Sequence, residues 1–474
     1  MIVMNILFIL HHSNELSVYM QDLNKNDKAF SLIVLSLFVY FSSCMYMPLI
    51  ASDELITPRF DDLNLRADLI TDGLSSPTSM AFIDSQNILV LEKNSGEVRL
   101  ISNGVLQDEP ILKLEIDSTT PTCCRGLLGI EILNENVNND NITYVFLYLT
   151  EPTIRSRVEV DEVGADNNNN DDDDNDDDST QIRNRVYKYQ WNGKNLVDQK
   201  MILDLPAEPG PNHPGGKLVL GKDGYLYTVI GDLNNNGKLQ NFGDGPDPTD
   251  SSVILRIDPA NGSAPLDNPF SRNQYQNTSQ IEKYYAYGIR NSFGLAIDPK
   301  TGILWDEENG DRDYDEINII YPGFNSGWEK LMGPMNRSDV SIEDLVMLDG
   351  SRYGDPVFNW SPSLGVTDIE FLNSTKLGNK YAYNIFVGDI TYGNLYFLEV
   401  NQNRTGISFQ NSLGGGLEDL VADNEKELAA ITLGTGFGGI TDIETGPDGS
   451  LYILTFDQES DGDGKIYKID LASL

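Results

Sequence analysis

Cysteine, histidine and positive charge are all scarce in this chain of 474 residues. Three Cys cannot build a disulfide framework. Of the three His, two stand together at His11 and His12, which leaves His213 alone in the rest of the chain. One imidazole does not make a zinc centre, so metalloprotease chemistry is excluded. Lys and Arg number 33 against 73 Asp and Glu, a formal charge of -40. Phosphate binding needs clustered cations, so nucleic acid is excluded as a partner, as is docking on an anionic membrane surface. Disorder is excluded too, because 40 % of residues are apolar and 9 % aromatic. Forty-two Gly and 21 Pro separate many short apolar runs, which points to β-structure rather than packed helices.

One long apolar run is present. No charge occurs between Lys28 and Asp53, and Ala29–Phe41 is continuously apolar apart from two serines. Lys25 and Lys28 precede it, so residues beyond Asp53 are expected outside the cytoplasmic membrane. The run suits a secretory signal, and the uncharged stretch is long enough for a membrane anchor over residues 29–50. A buried core helix is the third reading. The sequons Asn141-Ile142-Thr143 and Asn373-Ser374-Thr375 suit an exported chain. The expected organisation is an extension over residues 1–28, a signal or anchor over 29–52 and a β-domain over 65–473.

That domain repeats. Gly215–Asp232 and Gly438–Thr455 share an apolar stretch, an Asp-Gly turn and a Leu-Tyr strand. The turns, Asp223-Gly224 and Asp448-Gly449, are hairpin signals. Each copy closes with a further strand, Val253–Ile257 or Lys465–Ile469, and looser copies start at Pro77, Gly126, Gly288 and Gly365. Apolar residues on both sides of the alternation Leu451, Tyr452, Ile453, Leu454 mean that both sheet faces are buried. Six such units predict an all-β, six-bladed β-propeller; two separate β-domains are the alternative. The acidic tract Asp166–Asp178, within an insertion over 165–180, lacks the glycines and closing Glu of an ordered calcium loop and reads as a solvated, disordered loop.

Few residues are suited to chemistry. His213 stands in Pro209-Gly210-Pro211-Asn212-His213-Pro214-Gly215-Gly216, with no aliphatic periodicity around it. It is either a proton-transfer group or a satisfied loop histidine. Tyr287-Gly288-Ile289-Arg290-Asn291 and Gly310-Asp311-Arg312-Asp313-Tyr314-Asp315-Glu316 combine a planar donor fork with carboxylates and carbonyls suited to a hard cation. The alternative is a surface loop with ion pairs.

Taken in order, His213-Pro214-Gly215-Gly216, Asp223-Gly224-Tyr225-Leu226-Tyr227, Gly231-Asp232, Gly288-Ile289-Arg290-Asn291, Asp315-Glu316-Ile317-Asn318 and Gly327-Trp328 resemble the glucose/sorbosone dehydrogenase family. These are soluble aldose dehydrogenases dependent on pyrroloquinoline quinone (PQQ), and their fold is a six-bladed propeller. The resemblance implies an extracytoplasmic oxidoreductase that converts the anomeric hydroxyl of an aldose to a lactone and later passes electrons to an external acceptor. His213 then resembles the general base, and hydride passes to PQQ. Arg290 and Asn291 resemble the pair beside quinone and sugar. The carbonyls of Gly310 and Asp311 match those that hold Ca²⁺, with Asp315 and Glu316 supporting ion and loop.

The chain also departs from the family. The Lys and two Arg that meet the carboxylates of PQQ fall on Thr391, Gly439 and Thr441, and Asn212 replaces a frequent acid before the base. Cys124, two residues before Gly126-Leu127-Leu128-Gly129, matches a position at the site's mouth and is adjacent to Cys123. The pair reads as a vicinal disulfide, a metal-soft patch or two inert residues. The alternative function is a cofactor-free propeller, a calcium-dependent lactone hydrolase or a module that binds glycans or proteins.

Overall fold

A computed structural model describes residues 57–118, 124–137, 140–154, 180–271, 281–409, 416–456 and 462–472. The extension, the apolar segment, most of the acidic insertion and Cys123 lie outside them. The described residues form six sheets around an axis. The inner strands are Pro77–Phe82, Leu127–Val137, Leu218–Leu220, Gly294–Ile297, Val366–Phe371 and Gly439–Thr445, in blades 1 to 6. Each packs on the next, and the sixth packs on the first, so the ring is closed. Leu65–Leu74 joins blade 6 as its outer strand, antiparallel to Gly464–Leu471 with Leu65 opposite Leu471 and Ala67 opposite Ile469. The two ends of the domain thus share one sheet, which ties the ring shut. Among the described residues the one α-helix is Glu425–Ile431, with Asn424 as its N-cap.

The alternation now has its physical cause. Leu451 and Ile453 pack towards blade 5, while Leu454 and the ring of Tyr452 pack towards blade 1. Six apolar clusters fill the six gaps between blades, so every sheet is buried on both faces. Both Asp-Gly turns form as expected, and in each the glycine N–H donates to the carbonyl of the glycine three residues earlier. Inner strands leave backbone groups unpaired along the axis, where burial would be costly. Side chains from the preceding blade satisfy several of them. Glu131 accepts from Leu220 N at 2.9 Å, Asp368 from Ile443 N at 2.8 Å and Asp442 from Met80 N at 2.7 Å.

One insertion matters for the site. Between the third strand of blade 4, Asp315–Ile320, and its outer strand, Phe358–Trp360, the chain leaves the blade. Phe324–Asn325 pairs in parallel with Tyr284–Tyr287 of blade 3. Asn241 and Asn325 lock this docking with reciprocal amide hydrogen bonds of 2.9 and 3.1 Å. Trp328 is carried to blade 3 in this way.

Candidate active site

His213 lies in the loop from the outer strand of blade 2, Leu196–Pro206, to the inner strand of blade 3. Its φ of 61° is in the left-handed region, uncommon for a residue with a Cβ. The surroundings hold it there. Gly210 N donates to Leu233 O at 3.0 Å, Asn234 Nδ2 to Gly210 O at 3.0 Å and Gly215 N to Asn291 Oδ1 at 3.1 Å. Arg125 clamps the start of the loop through Ala207 O and Glu208 Oε1. At Gly231 a Cβ would come within 2.5 Å of the carbonyl oxygens of both His213 and Arg290, so that strand end admits glycine alone.

Asp232 orients the imidazole. His213 Nδ1 lies 2.7 Å from Asp232 Oδ1, which also accepts from Asn234 N at 2.8 Å. The other oxygen of Asp232 accepts from the Trp328 indole N–H at 2.7 Å, and its own amide donates to Arg290 O at 2.8 Å. With the carboxylate accepting throughout, the network assigns a ring proton to Nδ1, so that in the neutral ring the lone pair is on Nε2. Asp232 is buried, whereas His213 keeps 15 % of its side-chain surface exposed. A buried carboxylate thus orients a partly exposed imidazole.

Arg290 stacks over the same indole, its guanidinium carbon 5.3 Å from the ring centroid. Its Nη1 donates to Asn309 O at 3.1 Å, Nη2 lies 3.6 Å from Asp311 Oδ1, and Nε is buried without an acceptor. Asn291 is spent on the loop, through Gly215. Glu308 takes the Arg290 amide at 2.6 Å and the Ser326 hydroxyl at 2.7 Å. Burial, with Glu316 and Asp306 nearby, holds its carboxyl well above the ordinary range.

Asp315 accepts from Gly310 N, the Ser363 hydroxyl and the amides of Leu364 and Gly365, at 2.6 to 3.0 Å. It shapes the loop. Glu316 accepts from Gly333 N and Asn318 Nδ2, and burial raises its carboxyl to about 7. The Asp311 side chain is largely exposed. No three His, Cys, Asp or Glu side chains gather as a metal site among the described residues. The carbonyls of Gly310 and Asp311 remain the candidate cation ligands here.

A cavity of about 440 Å³ opens on the axis where the inner strands begin, and all six blades contribute to it. Its lining includes Lys93, Cys124, Lys217, Phe293, Thr441 and Phe456. Gly215 also lines it and links it, through Asn291, to the loop of His213. His213 and Arg290 are not in its wall. Thr391 is exposed outside the cavity. Gly439 is buried, and a Cβ there would lie 2.9 Å from Ile390 O and 3.1 Å from Phe456 O. Lys217 lies 2.9 Å from Asp368 and 2.5 Å from Asp442. Burial opposes its charge, but Asp368, Asp442 and Glu444 carry its pKa well above the ordinary lysine value. A second cavity of about 230 Å³, lined by Asp204, Asp250 and Glu282 among others, shares no residue with this site.

Sequence reasoning assigned no role to Asp232, Trp328, Lys217 or Lys93. Gly231-Asp232 and Gly327-Trp328 were visible as motifs, but nothing in one dimension joins positions 96 residues apart. No signal marked either lysine.

Comparison with known proteins bears on the family and the fold. Aldose sugar dehydrogenase YliI of Escherichia coli is 31 % identical over 263 residues, 56 % of this chain and 62 % of the relative's length. Quinoprotein glucose dehydrogenase B of Acinetobacter calcoaceticus is 30 % identical over 163 residues, 31 % of this chain and 32 % of the relative. The chain thus spans less than two thirds of either protein. Among solved structures, the apo soluble aldose sugar dehydrogenase of E. coli has a TM-score of 0.60 at 22 % identity, covering 86 % of this chain and 100 % of its own. The PQQ-bound aldose sugar dehydrogenase of Streptomyces coelicolor has a TM-score of 0.58 at 18 % identity, covering 86 % and 99 %. These two show the fold. Residues 74–468 match the glucose/sorbosone dehydrogenase family, and with that span of the described propeller included, the chain belongs to this family.

Proposed function

We propose that the protein oxidises the anomeric hydroxyl of an aldose to a lactone, with His213 as the general base. The observation that supports this best is the chain of hydrogen bonds from Trp328 through Asp232 to His213. It leaves Nε2 aimed away from its partners and able to take the hydroxyl proton. As that proton leaves, the carbonyl would form and the C1–H electron pair would pass as hydride to a two-electron acceptor of the quinone class, which is reduced to the quinol. Arg290, stacked on Trp328 with 13 % of its side chain exposed, is the donor proposed for a sugar oxygen. Export to the cell exterior, with or without residues 29–50 as an anchor, belongs to the same proposal.

The hydride needs a two-electron acceptor, and the family uses PQQ. The residues present do not fit its three carboxylates. Thr391 is outside the cavity, Gly439 has no room for a side chain, Thr441 offers a hydroxyl, and Lys217 is already shared by two carboxylates. Desolvating carboxylates without matched cations costs several kcal/mol each.

The test is lactone formation from aldoses, followed with an artificial electron acceptor and a supplied quinone, for the unmodified protein and His213→Gln. Turnover in the first and a fall of roughly 10²–10⁴ in the second is expected. Equal turnover in both would remove His213 from the mechanism.

A further inference from the structure

We infer that the axial cavity takes an uncharged planar ligand, a neutral quinone in the setting of the proposed oxidation, and discriminates against polyanions such as PQQ. The walls suit a flat apolar ring. Phe293, Ile390, Phe456, Pro77 and Leu128 give it apolar walls, and Thr441 adds a hydroxyl. Charge decides the rest. The cations in the lining are Lys93 and Lys217, and both Asp442 in the lining and Asp368 beside it lie on Lys217. Lys217 is thus shared by two acids, which leaves at most Lys93 to meet the three carboxylates of PQQ.

Below this level the inner strands carry more acid. Glu131, Glu370 and Glu444 surround the same ammonium, and their burial gives them raised pKa values. Any fraction that ionises adds negative potential under the cavity, on a chain whose formal charge is already -40. Thr441 is a position within the wall at which charge can be restored. At Gly439 a side chain collides with the backbone of Ile390 and Phe456.

The inference rests on the dehydrogenase reading for the word quinone but not for the sign of the charge. Calorimetric titration of the purified protein with PQQ and with its neutral trimethyl ester, at fixed pH and salt, tests it. The ester is expected to bind at least about tenfold more tightly than PQQ. Raising salt should strengthen PQQ binding, since it screens a repulsion, and leave the ester unchanged. Thr441→Arg, checked for folding by circular dichroism, should move the ratio towards PQQ by about tenfold. Tighter binding of PQQ than of its ester to the unmodified protein would overturn the inference and leave the proposed oxidation intact. Binding of neither would overturn the inference together with the quinone-dependent reading. A Thr441→Arg protein that folds but keeps the original ratio would also overturn it, because the wall charge would then not govern choice.

Discussion

Replacing Lys217 by Met removes the one ammonium that two buried carboxylates share. Asp368 and Asp442 are fully buried and lie 2.9 and 2.5 Å from its Nζ. Each already accepts one backbone N–H of the next blade, from Ile443 and Met80, so neither can turn towards water without releasing an inter-blade hydrogen bond. Breaking a buried pair by deleting one partner costs about 3–5 kcal/mol, and two orphaned acids place this variant at the upper end. With a urea slope of about 4 kcal/mol per M for a domain of this size, the midpoint should fall by roughly 1 M. The deficit should depend on pH. Burial already holds Asp368 well above the ordinary carboxylate range, and losing the ammonium moves it further up. The folded variant then retains a proton that the unfolded chain releases, so its stability falls as pH rises and recovers as pH is lowered. The assay is urea unfolding of both proteins at pH 5.5 and 8. A midpoint within about 0.2 M of the parent at pH 8 would refute the reasoning, because the carboxylates would not need the lysine.

Asp232→Asn places an amide where the carboxylate oriented the imidazole; it should cost aldose oxidation about 10²-fold or more with little change in KM, and an unchanged kcat would show that the tautomer is set elsewhere. Burial lifts Glu131 and Glu370 to about 7 from an ordinary 4.5, so the folded chain binds more protons than the unfolded one in that interval. Their stabilising contribution is complete below pH 4.5 and lost as pH rises through 7; a urea midpoint no lower at pH 8 than at pH 5.5 would contradict this. Gly393→Ala should lower stability by about 2 kcal/mol or more, since φ is 64° and a Cβ would overlap Gly438 O; an unchanged melting temperature would show that the loop yields freely. Added Ca²⁺ should raise the melting temperature if the carbonyls of Gly310 and Asp311 bind it, and no shift at millimolar Ca²⁺ would count against them.

The periodicities were sufficient for the architecture. Six short apolar units, Asp-Gly turns and two-faced alternation have few solutions other than stacked sheets in a ring, because each sheet must bury both faces. His213 was legible for a similar local reason, being a lone imidazole in a glycine-proline loop without an aliphatic stripe. Tertiary structure alone decided what surrounds it. Asp232 reaches His213 across 19 residues, Trp328 reaches Asp232 across 96 on an insertion of another blade, and Lys217 meets Asp442 across 225. The last two contacts cross blade boundaries, where geometry depends on packing between sheets and leaves no trace in local spacing. The same is true of charge. The sequence shows that Thr391, Gly439 and Thr441 are not cations, but the closed ring shows Gly439 walled in by backbone and Lys217 neutralised by two acids. Hydrophobic period therefore specified the frame, while burial and the convergence of six strand ends specified the electrostatics of the site.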